Sequence, residues 1–221
     1  MSALAQLRRE YHQKICAELL ALRGDDGVPN IADGSSPASV DFAKRLVDKL
    51  GFELAAKKLS GQTIGQRFAE LTKDFLFAAF EKVRHLRPGD WIVSTSQAGQ
   101  GIAAYDQYEH LARLQALLAD KPDLKTALGG DYIITPDIII ARNPEPDERI
   151  NATESVVQEG PVASLAPLRR QNTPNPHRIL HASISCKWTM RSDRAQNTRT
   201  EALNLIRNRK GNTPHIVAVT F

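Results

Sequence analysis

The chain has 221 residues, which is enough for one domain with a hydrophobic core of its own. Its 29 Lys and Arg residues exceed its 25 Asp and Glu residues, and the formal charge of +4 permits a polyanionic partner without requiring one. The two cysteines have no repeated spacing, which argues against a zinc finger or a disulfide framework and favours a reducing cytoplasm. The N-terminal segment is charged throughout and no long apolar run follows, so neither an export signal nor a membrane span is expected.

Three amphipathic helices are predicted in the first part of the chain, because apolar residues recur there every three to four positions. They are residues 2–23, closed by Gly24; a helix capped by Ser39 and running to Leu50, closed by Gly51; and a helix opened by Ser60 that continues to Val83. Between the first two lies a loop, 24–39, rich in Gly, Pro, Ser and Asp. Loops of that length are often functional.

Helices and strands alternate in the rest of the chain. The predicted elements are strand 91–96, helix 105–120, strand 132–141, strand 179–188, a helix from Ser192 to about Arg209 and strand 214–221. The proline-rich stretch 143–177 is predicted to be a long excursion between two strands. We therefore predict an α/β fold with a central mixed sheet flanked by helices, in a single domain over residues 1–221. The chain ends within an apolar, strand-like run, and from this pattern we expect a chain truncated at its C-terminus.

Two predicted strands carry candidate chemistry. Pro136 interrupts strand 132–141, so that strand must be an edge or a bulge at this point, and the bend aims Asp137 away from a regular position. In strand 179–188 the residues alternate between an apolar and a polar face. The apolar face has Leu180, Ala182, Ile184 and Cys186, and the polar face has His181, Ser183, Ser185 and Lys187. Lys187 is therefore predicted to lie outside the core.

Hydrolysis of a phosphodiester needs a divalent metal held by oxygen ligands, a positioned water and positive charge on the phosphate oxygens. Asp137 could be the central metal ligand, the main-chain carbonyl of Cys186 a second, and Lys187 could orient the attacking water. Glu201, with thirteen residues between it and Lys187, could complete the shell through a water. Each residue alone is more often a turn or a solvated side chain. Their combination favours a metal-dependent nuclease.

The segment Arg191-Ser192-Asp193-Arg194 begins a predicted helix and has the chemistry of base recognition. Arginine matches guanine O6 and N7, and a carboxylate accepts from cytosine N4, so the segment suits adjacent G·C pairs. The alternative is an exposed helix start with an acid near the positive end of the helix dipole and two solvated arginines.

Together these residues resemble a known family. Pro136-Asp137, Ser185-Cys186-Lys187, Arg191 to Arg194 and Glu201 occur in the order found in NgoMIV-type type II restriction endonucleases, a branch of the PD-(D/E)XK nuclease superfamily. In that branch the second acid of the common motif is displaced from just before the lysine to the following helix. Ser185 stands where the common motif has the acid, and Glu201 stands at the displaced position. The resemblance implies a restriction-endonuclease-like core and a type II site-specific deoxyribonuclease.

The resemblance also implies a substrate and further residues. It implies duplex DNA with a CCGG core read by Arg191, Asp193 and Arg194, in the hexamer GCCGGC cut after the first G to leave 5′ overhangs. Further DNA contacts are implied at Ser185, Gln62 and Asp33. Glu70 resembles an additional acid that acts near the metals through a water.

Cofactor and partners follow from the same resemblance. It implies two Mg²⁺ ions per active site, a homotetramer built from two dimers, a cognate modification methyltransferase and a prokaryotic cytoplasm. Two other functions stay open: a structure-specific repair nuclease of the same superfamily, and a non-catalytic, sequence-specific DNA-binding module. Arg191 to Arg194 argues against the repair nuclease, and the intact set of Asp137, Lys187 and Glu201 argues against the binding module.

Overall fold

The structure is a computed structural model that describes residues 1–24, 26–57, 59–95, 101–121, 123, 134–158, 176–189 and 192–221. Its helices are α1 Ala3–Glu18, α2 Pro37–Leu50, α3 Gly61–Lys82, α4 Glu109–Leu118, α5 Asp147–Ile150 and α6 Ser192–Arg207. Its strands are β1 Trp91–Thr95, β2 Ile138–Arg142, β3 Ile179–Lys187 and β4 His215–Thr220. The strands form one four-stranded mixed sheet, which confirms the predicted α/β class. None of the helices in the described ranges is long and apolar enough to cross a membrane.

The chain divides into two compact units. The helical unit consists of Met1–Arg87, Cys186–Ala195 and Ala218–Phe221. The sheet unit consists of Pro88–Ser185 and Gln196–Val217. Both units are discontinuous in sequence, and the boundary within β3 falls between Ser185 and Cys186. The single domain over residues 1–221 stays a prediction.

Helices α1, α2 and α3 begin at serine caps. The Ser2 and Ser60 side chains accept hydrogen bonds from the backbone N–H groups of Ala5 and Thr63, which confirms Ser60 as the start of α3. The predicted cap of α2 is wrong, since Ser36 accepts from the N–H of Ser39 and Pro37 occupies the first turn. A proline has no N–H to lose there, so the helix begins earlier than Ser39. Its end is as predicted.

Helix α1 ends at Glu18, several residues before the predicted end at 23. The chain turns back here, because Leu22 forms an isolated antiparallel bridge with Pro29, and the Asn30 side chain donates to the Leu19 carbonyl over 2.8 Å. A distant segment also satisfies a carbonyl in the last turn of the helix, since the Ala55 N–H donates to the Cys16 carbonyl over 3.0 Å. The core of the helical unit includes fully buried side chains of α1 and α3, among them Ile15 and Phe68.

The sheet has the strand order β1-β2-β3-β4, with β1 antiparallel to β2 and β2 antiparallel to β3. Strand β2 begins only at Ile138, whereas the sequence predicted a strand over 132–141. Residues 132 and 133 lie outside the described residues, and Pro136, which lacks a backbone donor, precedes the strand. The register shifts between Ile140 and Ala141, so His181 is the extra residue on β3 at a β-bulge.

Buried polar side chains in the core of the sheet unit form hydrogen bonds with the backbone of neighbouring elements. The Gln107 side chain donates to the Leu180 carbonyl over 2.7 Å and accepts from the Leu180 N–H over 3.0 Å. The Tyr108 hydroxyl donates to the Leu205 carbonyl over 2.8 Å, and burial raises the pKa of Tyr108 to about 12. Gln107 and Tyr108 lie in a 3-10 turn, which explains why α4 begins at Glu109 and not at 105.

Candidate functional site

The start of β2 and the end of β3 are brought together by strand register. Ile138 pairs with Ile184. Asp137 immediately precedes β2 and Ser185 immediately follows Ile184, so the backbone places both residues at the same end of the strand pair in the sheet unit. Asp137 is partly exposed and the preceding Pro136 is buried. A buried proline fixes the backbone from which the carboxylate projects.

The polar face of β3 is more buried than alternation alone predicts. Ser183 and Ser185 are 5 % and 8 % exposed, although alternation assigns them to the polar face of the strand together with Lys187. Both faces of a strand can be covered inside a sheet protein, and the sequence pattern cannot show this. The Ser185 hydroxyl has no hydrogen-bond partner among the described residues. Lys187 is partly exposed, as predicted.

An aromatic cluster in the helical unit holds the chain immediately after Lys187. Trp188 is 6 % exposed and makes an edge-to-face contact with Phe68 of α3, with 5.5 Å between ring centroids. Its other neighbour is Phe221, whose ring stacks on it at 5.2 Å. Cys186, on the other side of Lys187, is also buried. Two buried neighbours therefore fix the backbone that carries Lys187 and the candidate carbonyl ligand of Cys186.

The first turn of α6 contains two of the three predicted base-reading residues, Asp193 and Arg194, while Arg191 lies outside the described residues. Asp193 is exposed. Nη1 of Arg194 donates to the carbonyl and the hydroxyl of Thr189, over 3.2 and 2.7 Å. These bonds tie the start of α6 to the loop that follows β3, and both belong to the helical unit. Glu201 lies farther along α6, partly exposed, in the part assigned to the sheet unit.

Glu70 of α3 belongs to an ion-pair cluster that sequence reasoning missed. Its carboxylate accepts from Nη1 of Arg67 over 3.0 Å, and the Arg67 Nε donates to Glu18 of α1 over 2.6 Å. Hydrogen bonds to Glu18 and then to Glu70 raise the pKa of Arg67. The three-residue spacing of Arg67 and Glu70 on a helix is a readable signal. Glu18 is 49 positions from Arg67, and no local pattern connects them.

The two remaining predicted DNA contacts lie on the surface of the helical unit. Asp33 is exposed, and its carboxylate accepts from the backbone and the hydroxyl of Ser35, over 3.1 and 2.7 Å. This local turn orients the carboxylate within the Gly-rich loop. Gln62 is exposed in the first turn of α3. Among the described residues, both predicted outer contacts thus belong to the same unit as Asp193 and Arg194.

The candidate metal ligands are oxygen donors. Asp137, Glu201 and Glu70 offer carboxylates, and Cys186 offers a main-chain carbonyl. In the described part of the chain, no group of three or more His, Cys, Asp or Glu side chains could enclose a metal ion. Mg²⁺ does not need such a cage, because it usually keeps several waters and binds through one or two carboxylates together with substrate phosphates. The donor chemistry fits Mg²⁺ on these terms.

Comparison with known proteins defines the class of this mixed α/β protein. The family model described as NgoMIV restriction enzyme matches residues 11–221. The type II restriction enzyme NgoMIV of Neisseria gonorrhoeae is 48 % identical over 217 residues, which cover 97 % of this chain and 75 % of that protein. Both matches identify a type II restriction endonuclease, a site-specific deoxyribonuclease that binds DNA.

Within that class, the chain belongs to the NgoMIV restriction enzyme family. The family assignment confirms the resemblance read from the sequence motifs and the predicted enzyme class. The roles of the individual site residues stay predictions.

Proposed function

We propose that this chain cleaves duplex DNA at a palindromic site with a CCGG core, in the hexamer GCCGGC, cut after the first G to leave 5′ overhangs. Arg191, Asp193 and Arg194 read the core. Asp33, Gln62 and Ser185 add further contacts to the DNA. The motif that motivates this specificity is Arg-x-Asp-Arg at the start of α6, whose residue types match adjacent G·C pairs.

Hydrolysis depends on Mg²⁺ in this proposal, with two ions per active site. When bound, the metal would supply an activated water and charge stabilisation on the phosphate. Asp137 and the Cys186 carbonyl are the direct ligands, and Glu201 and Glu70 act through waters. Lys187 donates hydrogen bonds that orient the attacking water and is well suited to oppose the charge that develops on the phosphate.

The register of β2 and β3 is the observation that supports these roles most strongly. Ile138 pairs with Ile184, so Asp137 precedes β2 at the end of the pair from which β3 continues through Ser185 and Cys186 to Lys187. An acid before one strand and a lysine at the end of the neighbouring strand is the arrangement that the resemblance requires. Backbone hydrogen bonds and the apolar side chains that the two strands bury fix this register together.

Assembly and context complete the proposal. A palindromic site calls for two copies related by a two-fold axis, and the resemblance implies a homotetramer made of two such dimers. A cognate methyltransferase would protect the host genome from an enzyme of this kind, and both would act in a prokaryotic cytoplasm.

The experiment is digestion of two plasmids, one with and one without GCCGGC sites, in Mg²⁺. The wild type is expected to give discrete fragments only from the plasmid with sites. Lys187→Ala is expected to lower the cleavage rate by about 10²–10⁴-fold, the usual contribution of a group that positions or transfers a proton. Lys44→Ala, an exposed lysine of α2, is the matched control and should cut like the wild type.

Two outcomes would overturn the proposal. Degradation of both plasmids without discrete fragments indicates a nuclease that recognises DNA structure. Specific retardation of the site-bearing duplex in Ca²⁺ without any cleavage in Mg²⁺ indicates a DNA-binding module. Fragments that map to a different hexamer would retain the enzyme class but refute the assigned outer base pair.

A further inference from the structure

The ion-pair cluster of Glu18, Arg67 and Glu70 joins two helices of the helical unit around one guanidinium. Arg67 of α3 donates from Nε to Glu18 of α1 over 2.6 Å and from Nη1 to Glu70, one helical turn away, over 3.0 Å. The Gln66 amide approaches the other Glu70 oxygen at 3.4 Å. The guanidinium fork therefore makes separate bonds to two carboxylates, a geometry that a lysine cannot copy.

The cluster is half-buried and carries one more negative charge than positive. The side chains of Arg67, Glu18 and Glu70 are 39 %, 38 % and 39 % exposed. An isolated pair with that exposure would contribute little to stability, since solvent screens it. Two carboxylates and one guanidinium leave a net charge of −1, which attracts a cation. Each carboxylate is at the same time hydrogen-bonded to Arg67.

We propose that Arg67 is a positioning residue for Glu70, anchored by Glu18, and that it sets the affinity of the enzyme for its divalent metal. This inference rests on the proposed function, in which Glu70 acts near the metal through a water. The hydrogen bond from Nη1 of Arg67 fixes the direction of the Glu70 carboxylate before any metal arrives. Groups behind a metal ligand commonly act in this way, and their loss costs about 10–100-fold in metal affinity or activity.

Glu18 and Glu70 have different roles in the ion-pair cluster. It lies on another helix and forms the shorter of the two bonds to Arg67, so it fixes where the guanidinium stands. With the guanidinium held by Glu18, the hydrogen bond from Arg67 Nη1 keeps the Glu70 carboxylate in one direction. Glu18 thereby supports the position of Glu70 through Arg67 and has no proposed contact with the metal or its waters.

The test measures metal dependence in two ways, one of them without turnover. Fluorescence anisotropy gives the Ca²⁺ concentration that half-saturates binding to a GCCGGC duplex, and single-turnover cleavage gives the corresponding Mg²⁺ concentration. Arg67→Ala is expected to raise both by about 10-fold or more. Arg67→Lys should restore part of the loss, because the charge remains but the fork does not. Glu18→Gln should cause a smaller shift in the same direction.

Arg84→Ala is the matched control, because Arg84 follows the same helix and pairs with Glu81 at the same three-residue spacing. It should leave both metal concentrations unchanged within about two-fold, as expected of an exposed pair. A double variant with Glu70→Gln should show no further shift from Arg67→Ala if Arg67 acts through Glu70.

An Arg67→Ala enzyme with unchanged Ca²⁺ and Mg²⁺ dependence overturns the inference, as does a shift that persists in full in the Glu70→Gln background. Thermal unfolding of each variant separates these results from a loss of fold, and Arg67→Lys supplies the answer if Arg67→Ala is unstable. Failure of the wild type to cut GCCGGC would instead overturn the proposed specificity. The metal titration can then be repeated on a duplex that the enzyme does bind and cleave.

Discussion

The helical unit and the sheet unit hold their candidate site residues in different ways. In the helical unit, side chains are oriented by partners, since Glu70 is bonded to Arg67, Arg194 to Thr189 and Asp33 to Ser35. In the sheet unit, Asp137 and Ser185 are located by the register of β2 and β3. The Ser185 hydroxyl has no partner among the described residues.

This difference indicates which perturbations each unit should resist. Charge-assisted bonds at half-exposed sites weaken as salt screens them, whereas a strand register persists as long as the core beneath it is packed. Substitutions of the candidate site residues Asp137 and Ser185 in the sheet unit are therefore expected to remove chemistry with little change in the strand geometry. Substitutions in the helical unit change geometry through the partner that is left behind.

The largest expected effect tests the sheet unit. Asp137→Asn should reduce cleavage by about 10³-fold, because charge stabilisation by a correctly held metal is worth several kcal/mol and each factor of ten corresponds to about 1.4 kcal/mol. The free energy of unfolding should change by less than about 1 kcal/mol, since Asn has the same shape as Asp and backbone hydrogen bonds hold β2 against β3. Single-turnover cleavage and urea unfolding measure the two quantities. Glu148→Gln, an exposed acid of α5, is the control.

If Asp137→Asn also unfolds the protein, the carboxylate orients the strand end and the contrast between the two units fails. Full cleavage by the variant would remove Asp137 from the candidate metal ligands.

The next effect tests the core of the helical unit. Phe68 is fully buried in α3 and contacts Trp188, the residue after Lys187. Phe68→Ala should destabilise the protein by about 3–5 kcal/mol, through lost burial and the cavity left behind. Phe77, on the same helix but 51 % exposed, offers the matched control, and Phe77→Ala should change stability by less than about 0.5 kcal/mol.

Phe68→Ala should also lower cleavage at temperatures where the variant is still folded, because Trp188 would no longer fix the backbone of Lys187. Normal cleavage by folded Phe68→Ala would show that the aromatic cluster serves stability alone.

Much of the fold was predictable from local signals. Ser60 as a cap, Gly51 with its positive φ of 61° after α2, and the alternation of β3 all act within a few residues. The incorrect boundaries occur where contacts between residues distant in the sequence determine the end of an element. Helix α1 ends early because Leu22 forms a β-bridge with Pro29 and the Asn30 side chain donates a hydrogen bond to the Leu19 carbonyl. The periodicity of apolar residues in α1 does not predict that turn.

The same division applies to the candidate site. Lys187 and Asp137 could be selected because strand patterns surround them, and their roles stay predictions. Burial of Ser185 on the polar face could not be predicted, since alternation reports which residues share a face and not what covers it. Glu18 could not be predicted at all, because its partner Arg67 comes from another helix.

A smaller effect concerns the hydrogen bonds between the Gln107 side chain and the backbone of β3. Gln107 is 3 % exposed and exchanges two hydrogen bonds with the backbone of Leu180, so Gln107→Ala leaves a buried donor and a buried acceptor unpaired. We expect a loss of about 1–3 kcal/mol in the free energy of unfolding. Gln66→Ala, at an exposed position of α3, should have almost no effect. Hydrogen exchange of the Leu180 amide should accelerate in the Gln107 variant, and unchanged protection would show that the register needs no side-chain support.

The smallest effect is also the sharpest test of the contrast between the units. Ser185→Ala removes a buried hydroxyl that has no partner among the described residues, so the free protein should be as stable as the wild type or up to about 1 kcal/mol more stable. Binding to the GCCGGC duplex should weaken, because the hydroxyl is proposed to find its partner on the DNA. Ser183→Ala, two residues away and 5 % exposed, is the control for burial on the same face. A clear loss of stability in Ser185→Ala would mean that a side-chain partner holds this serine, as partners hold Glu70 and Arg194, and register alone would no longer explain its position.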